Sequence, residues 1–366
     1  MTVYLDHAAT TPMDPQAIAV MAEQLARTGN PSSLHASGRA ARRVVEESRE
    51  SIAAHFGARP SDVIFTSGGT EANNLALQGL AIDELAACPE SEHHAVLDVI
   101  KARNGVFLPV DETGRFIVES LAEHEIGLLS LMWANNEVGT IQPIEEAVAV
   151  AKERGFLIHS DAVQAAAHAD LNFTDSGLDA MTISAHKLGG PVGVGALIIR
   201  RELKPKPLTF GGGQERDVRS GTIATALIAG FAAAVNSINK RPNIEPLRQK
   251  LIDGIRTTIP QAIINGSDEH HLPHILNVEF PGAESDAMLM VLDSHGVEVS
   301  TGSACTAGVP QPSHVLLAMG RSETAAKNVL RFSFGATSKP EDVDAVLSIL
   351  ADAYDRALAA RRGGRK

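Results

Sequence analysis

Lys187 and Cys305 are the side chains whose surroundings point to chemistry. Lys187 lies in Ser184-Ala185-His186-Lys187, where an apolar run gives way to Gly189-Gly190. Cys305 lies in Ser300-Thr301-Gly302-Ser303-Ala304-Cys305, followed by Thr306, Ala307 and Gly308. An amine able to form a Schiff base and a thiol able to move are what sulfur abstraction from an amino acid requires. Most lysines are solvated surface charges. An amine delivered by an apolar strand is desolvated, which lowers its pKa and favours a nucleophile. Buried structural cysteines sit in apolar runs, whereas a small-residue loop suggests an accessible thiol that moves. The second cysteine, Cys88, reads as incidental.

Other polar residues fall where ligands bind in open α/β sheets, just after strand ends. Gly68-Gly69-Thr70-Glu71 offers backbone N–H groups and a hydroxyl at a helix start, an anion cradle suited to phosphate. On its own it reads more readily as a tight turn with an N-cap. Asp161 ends the run 156–160; a carboxylate there suits a protonated pyridine nitrogen, or caps the next helix. Gln164 follows three residues later, on the same side. His93-His94 suggests stacking, proton transfer or a plain helix start. No carboxylate or cysteine stands nearby at metal-ligand spacing. The loop 211–222 packs glycines, hydroxyls, Arg216 and Arg219 together, which favours a site or interface role.

The elements that must position these groups alternate. Strands are expected at 63–66, 106–110, 126–132, 156–160, 180–183 and 194–199. Helices are expected at 71–80, 95–101 and 144–154, so the fold class is α/β with a mostly parallel sheet covered on both faces. The segment 85–89 carries no clear strand signal. A linker is expected at 239–243, followed by an α+β region with strands at 276–280 and 297–299 and a helix at 284–294. Ser338 with Glu341 reads as a capping box opening a last helix, along which Val343, Val346, Leu350, Tyr354 and Ala357 recur at helical spacing.

The chain has 366 residues, enough for about two domains, and a formal net charge of −12. That charge argues against nucleic-acid binding as the main function. The apolar stretch 224–235 is too short to span a bilayer. Two cysteines and no signal-peptide pattern at the start give the expectation of a cytoplasmic protein.

Taken in order, Tyr4-Leu5-Asp6-His7-Ala8-Ala9-Thr10-Thr11-Pro12, Asn30-Pro31-Ser32-Ser33, Gly69-Thr70-Glu71, Asn135-Asn136-Glu137-Val138-Gly139, Arg219-Ser220-Gly221-Thr222 and Arg331-Phe332-Ser333-Phe334-Gly335 resemble the cysteine desulfurases, class V enzymes of fold type I that use pyridoxal 5'-phosphate. The resemblance covers nearly the whole chain. It implies a large coenzyme domain over 12–240 with a seven-stranded sheet. A smaller α+β domain from 1–11 and 241–366 would carry the Cys305 loop. It makes Lys187 the coenzyme's covalent partner and base, Asp161 the partner of the pyridine nitrogen, and Gln164 the contact to the ring oxygen. His93 would stack on the ring and move protons. Gly69, Thr70, Ser184 and His186 would hold the phosphate, with Thr222 from the other subunit of a homodimer. Asn136 and Arg331 would bind the substrate carboxylate. Cys305 would take sulfur from L-cysteine as a persulfide, leaving L-alanine. An acceptor protein serving iron–sulfur cluster assembly or tRNA thiolation would receive the sulfur. Selenocysteine lyase or aminotransferase activity is the alternative within the class. A non-enzymatic platform would have lost Lys187 or Asp161, and both are present.

Overall fold

The computed structural model describes residues 2–302 and 311–363. Twelve strands form three sheets among the described residues. They are β1 (Val3–Tyr4), β2 (Val63–Thr66), β3 (Ala86–Pro89), β4 (Val106–Leu108), β5 (Leu128–Ser130), β6 (Leu157–Asp161), β7 (Ala180–Ser184), β8 (Gly195–Ile199), β9 (Ile263–Asn265), β10 (Ile275–Glu279), β11 (Val297–Glu298) and β12 (Val329–Ser333).

The large sheet has seven strands in the order β2-β8-β7-β6-β5-β3-β4. β4 through β7 run parallel by way of β3, while β8 lies antiparallel to both β7 and β2. Alternation along the strands explains why both faces are apolar. Val63, Phe65, Met181, Ile183 and Ile198 pack into one core cluster with Ile52, Phe56 and Phe231. Ile64, Ala180, Leu197 and Ile199 point the other way, onto Leu75, Leu77 and Ile100. The helix Thr225–Ser237 buries Ile228, Phe231 and Val235 in this core, which accounts for the apolar stretch at 224–235. No described helix is long and apolar enough to cross a membrane.

A three-stranded antiparallel sheet, β12-β10-β9, carries the second core. Leu276, Val278, Leu330 and Phe332 meet Leu251 and Ile255 of the helix Glu245–Thr258, together with Val343, Val346 and Leu350 of the helix Pro340–Gly363. β1 pairs with β11, and the chain then returns past β12: Ser333 N–H donates to the Leu5 carbonyl at 2.7 Å. The first residues are therefore part of the C-terminal sheet's edge.

Two expectations are corrected. Ala86–Pro89 is a fully buried strand, β3, between β5 and β4. Its small side chains have low strand propensity, and burial by both neighbours overrides that. The last helix starts at Pro340, not at Ser338, because Asp342 reaches back to the Lys339 N–H at 2.8 Å. Ser338 instead accepts from Gly335 N–H at 3.0 Å.

Candidate active site

Lys187 stands in the tight turn Ala185–Leu188 directly after β7, which Gly189 ends in a left-handed conformation. Its Nζ donates to the carbonyls of Ala8 at 2.5 Å and Ala9 at 2.6 Å. Burial pushes its pKa down to about 8, helped by Arg331 and opposed by Asp6 and Asp161. Asp161 closes β6. Its Oδ2 accepts from Asn73 Nδ2 at 2.6 Å and its Oδ1 from Val163 N–H at 3.0 Å. Gln164, on the turn that follows, donates Nε2 to the Ala8 carbonyl at 2.8 Å. One backbone oxygen thus ties Lys187 and Gln164 together.

The helix Gly69–Gly79 begins two residues earlier than expected, so Gly69 and Thr70 form its first turn. First-turn N–H groups have no acceptor inside their own helix. Gly68 precedes it at φ 156° and ψ −178°, a conformation open essentially to glycine alone. The helix start abuts β8 closely: a Cβ on Gly195 would stand 2.7 Å from the Gly68 carbonyl carbon. Any side chain there would push the cradle away from the sheet. Ser184 and His186 approach the same end from β7 and its turn. Burial, then Lys187, lowers the His186 pKa to about 4, so the ring is neutral at pH 7.

His93 caps the helix His94–Ala102 by accepting from Ala95 N–H through Nδ1 at 3.1 Å. Its ring is open to the cavity yet walled by protein, which lowers its pKa; Asp161 opposes the shift and Lys187 adds to it. A neutral ring that accepts at Nδ1 carries its proton on Nε2. Arg331, on β12, donates to Asp6 Oδ1 at 2.8 Å and to the Asn136 carbonyl at 2.9 Å. Its Nε is buried with no hydrogen-bond partner among the described residues, while Nη1 and Nη2 carry two N–H groups each, so the guanidinium that lines the cavity has donors beyond these two bonds.

A cavity of about 370 Å³ joins these groups. Gly69, Thr70, Ser184 and His186 line it, as do His93, Asp161, Gln164 and Lys187. Asn136 and Arg331 line it too. Thr222 is exposed and does not line it. Cys305 lies outside the described residues. Among the described residues there is no cluster of three or more metal-ligating side chains.

The cavity fits pyridoxal 5'-phosphate. Its volume suits a small aromatic ligand. Unsatisfied helix N–H groups suit a phosphate, and a hydrogen-bonded carboxylate at Asp161 suits a ring nitrogen. Lys187 presents an amine of lowered basicity. In the coenzyme-free protein the amine has a testable signature. The folded pKa lies below the unfolded one, so the unfolded chain binds the extra proton between about pH 8 and 10.5. This group therefore adds stability as pH rises through that window. The urea midpoint should gain more between pH 8 and 10 in the native sequence than in Lys187→Met; parallel curves would contradict the shift.

Three polar residues in or beside the cavity escape a reading of the sequence. Asn73 is buried in its helix between Ala72 and Leu75, a polar side chain on an apolar face, which is the signal that could have found it. Glu92 is wholly buried beside His93, where burial and Asp161 hold its pKa well above the carboxylate range. It accepts from Met132 N–H. Glu137, after Asn136, is buried on the cavity wall. The loop arginines are held within the fold: Arg219 pairs with Glu71 at 2.9 Å, and Arg216 donates to the Val63 carbonyl at 3.1 Å.

The class-V aminotransferase family matches residues 3–346. A protein of Mycobacterium tuberculosis named IscS-like cysteine desulfurase is 48% identical, covering 98% of this chain and 97% of its own. The solved NifS-like protein from Rickettsia africae superposes with a TM-score of 0.90 at 33% identity, covering 97% of this chain and 100% of its own. A structure described as SspA in complex with cysteine follows at TM-score 0.82 and 32% identity, covering 92% and 100%. Sequence likeness and fold agree over almost the entire length, and on both grounds this chain belongs to the cysteine desulfurases of the class-V aminotransferase family, enzymes that depend on pyridoxal 5'-phosphate.

Proposed function

We propose that the chain takes sulfur from L-cysteine onto Cys305 and releases L-alanine. The observation that carries this reading is one cavity holding a weakly basic Lys187, a fixed Asp161 and the Arg331 guanidinium. Bound there, pyridoxal 5'-phosphate supplies an electron sink for the charge left when the α-proton leaves. Gly69, Thr70, Ser184 and His186 hold its phosphate, with Thr222 contributed by the second subunit of a homodimer. Asp161 would keep its ring nitrogen protonated, Gln164 would meet the ring oxygen and His93 would cover the ring face. Arg331 and Asn136 orient the substrate by its carboxylate. Lys187 Nζ would hold the coenzyme covalently and would be the base that takes the α-proton.

The Cys305 thiolate attacks the substrate sulfur. An S–S bond forms, the C–S bond breaks with its electron pair staying on the β-carbon, and protonation of that carbon together with return of the α-proton gives alanine. An acceptor protein of iron–sulfur assembly or tRNA thiolation in the cytoplasm then takes the outer sulfur, the S–S bond breaks and the Cys305 thiolate is left. We read the chain as a larger unit over 12–240 and a smaller one from 1–11 with 241–366.

Cys305→Ala tests the reading. Alanine formation from L-cysteine should fall by a factor of about 10² or more, since a nucleophile is removed. The coenzyme spectrum should be unchanged. Full desulfurase activity in that variant would sink the assignment, and undiminished turnover of L-selenocysteine alone would favour a lyase.

A further inference from the structure

Glu137 is a buried carboxyl that the scheme above leaves unused. It is 3% exposed and lines the cavity, and no described cation pairs with it. The nearest guanidinium, Arg331, is engaged by Asp6 and by the carbonyl of Asn136, the residue before Glu137. Glu137 Oε2 accepts from Ser313 Oγ at 2.5 Å, and its carbonyl accepts from Asn277 Nδ2 at 3.2 Å. The backbone of 135–138 is pinned as well, because Asn135 Oδ1 accepts the N–H groups of Glu137 and Val138 at 2.8 and 3.0 Å. The carboxyl is therefore held in place on the wall where an amino acid would dock.

Burial pushes the Glu137 pKa up to about 7, while Ser313, Arg331 on β12 and His94 across the cavity each pull it partly back. Such a group exchanges its proton near neutral pH. Two further facts of chemistry bear on it. An amino acid enters as an ammonium, and that nitrogen must lose a proton before it can act as a nucleophile. The substrate also brings a carboxylate, and a second negative charge close to Arg331 disfavours an ionised Glu137.

We propose that Glu137 accepts the proton shed by the α-ammonium of an entering amino acid and stays a neutral acid beside the bound carboxylate. One N–H bond breaks and one O–H bond forms, with no change in total charge. The inference rests on the reading that Arg331 receives the substrate carboxylate.

L-Alanine, which lacks the sulfur, serves as the probe with the holoenzyme at pH 8, where Glu137 is mostly ionised. Calorimetric titration in two buffers of different ionisation heat counts the protons released. The native enzyme should release about one proton fewer per alanine bound than Glu137→Gln. Equal counts would overturn the inference. Infrared difference spectra of the native enzyme decide the matter if that variant does not fold. A protonated-carboxyl stretch should grow in when alanine binds, and its absence would overturn the inference. Arg331→Ala separates the two readings. If alanine affinity is untouched, the carboxylate assignment itself falls. If affinity drops while the proton counts match, only the role of Glu137 falls.

Discussion

Lys187→Ala should lower turnover of L-cysteine by about 10²–10⁴-fold, with the fold intact. Among the described residues that line the cavity, the Lys187 amine near 8 is a stronger base than the Glu137 carboxylate near 7. His186 is pulled down to about 4 by burial, and burial lowers His93 as well, so both are weaker proton acceptors than the Lys187 amine near 8. Asp161 is committed to Asn73 and the Val163 N–H. The variant should keep its circular dichroism and lose the covalent attachment that borohydride reduction traps on the native lysine peptide. Added methylamine should restore a fraction of the rate, because a small amine can occupy the volume the side chain vacates. A native rate without added amine would refute the assignment.

Arg49→Ala should cost about 3–5 kcal/mol of folding stability, as breaking a buried ion pair does. Arg49 grips both oxygens of Glu215 at 2.8 and 2.9 Å, donates to the Val63 carbonyl at 2.8 Å and lies 4.7 Å over the Phe65 ring. Glu215 also accepts from Phe65 N–H at 2.9 Å. Both ends are buried, so the alanine variant leaves a carboxylate without its cation in the core. The pair also clamps the loop 211–222 to β2, the strand that leads into the phosphate cradle. Urea unfolding should show the loss, and Arg49→Met with Glu215→Leu should recover part of it. A single variant as stable as the native chain would show that the loop is held by other means.

The large sheet was legible because its strands are apolar runs ended by glycine or a polar residue, as at 63–66 and 180–183. β3 was not, because Ala86, Ala87 and Cys88 are too small to announce a strand and are buried only by neighbours far along the chain. Lys187 and Asp161 could be picked out because each sits where an apolar run ends, and His93 because it is one of a histidine pair at a helix start. What fixes them could not. Lys187 is held by backbone carbonyls 178 and 179 residues away, and carbonyls leave no mark in a sequence. Glu137 was hidden for a related reason: its burial on the cavity wall is visible only in the fold, whereas Asn73 is flagged by a polar side chain on an apolar helix face. Thr222 is exposed and stands apart from the cavity.

The return of the N-terminus to β12 governs when the enzyme becomes competent. Ala8 N–H bonds Ser333 Oγ at 2.9 Å, and Asp6 meets Arg331 across 325 positions. At about 5–20 residues per second, a ribosome needs roughly tens of seconds to deliver the second partner after the first has emerged. Until then the amine at 187 has its strand but no stable roof. Vitamin B6 capture should accordingly be a late, post-translational event, and nascent chains stalled before β12 should emerge colourless.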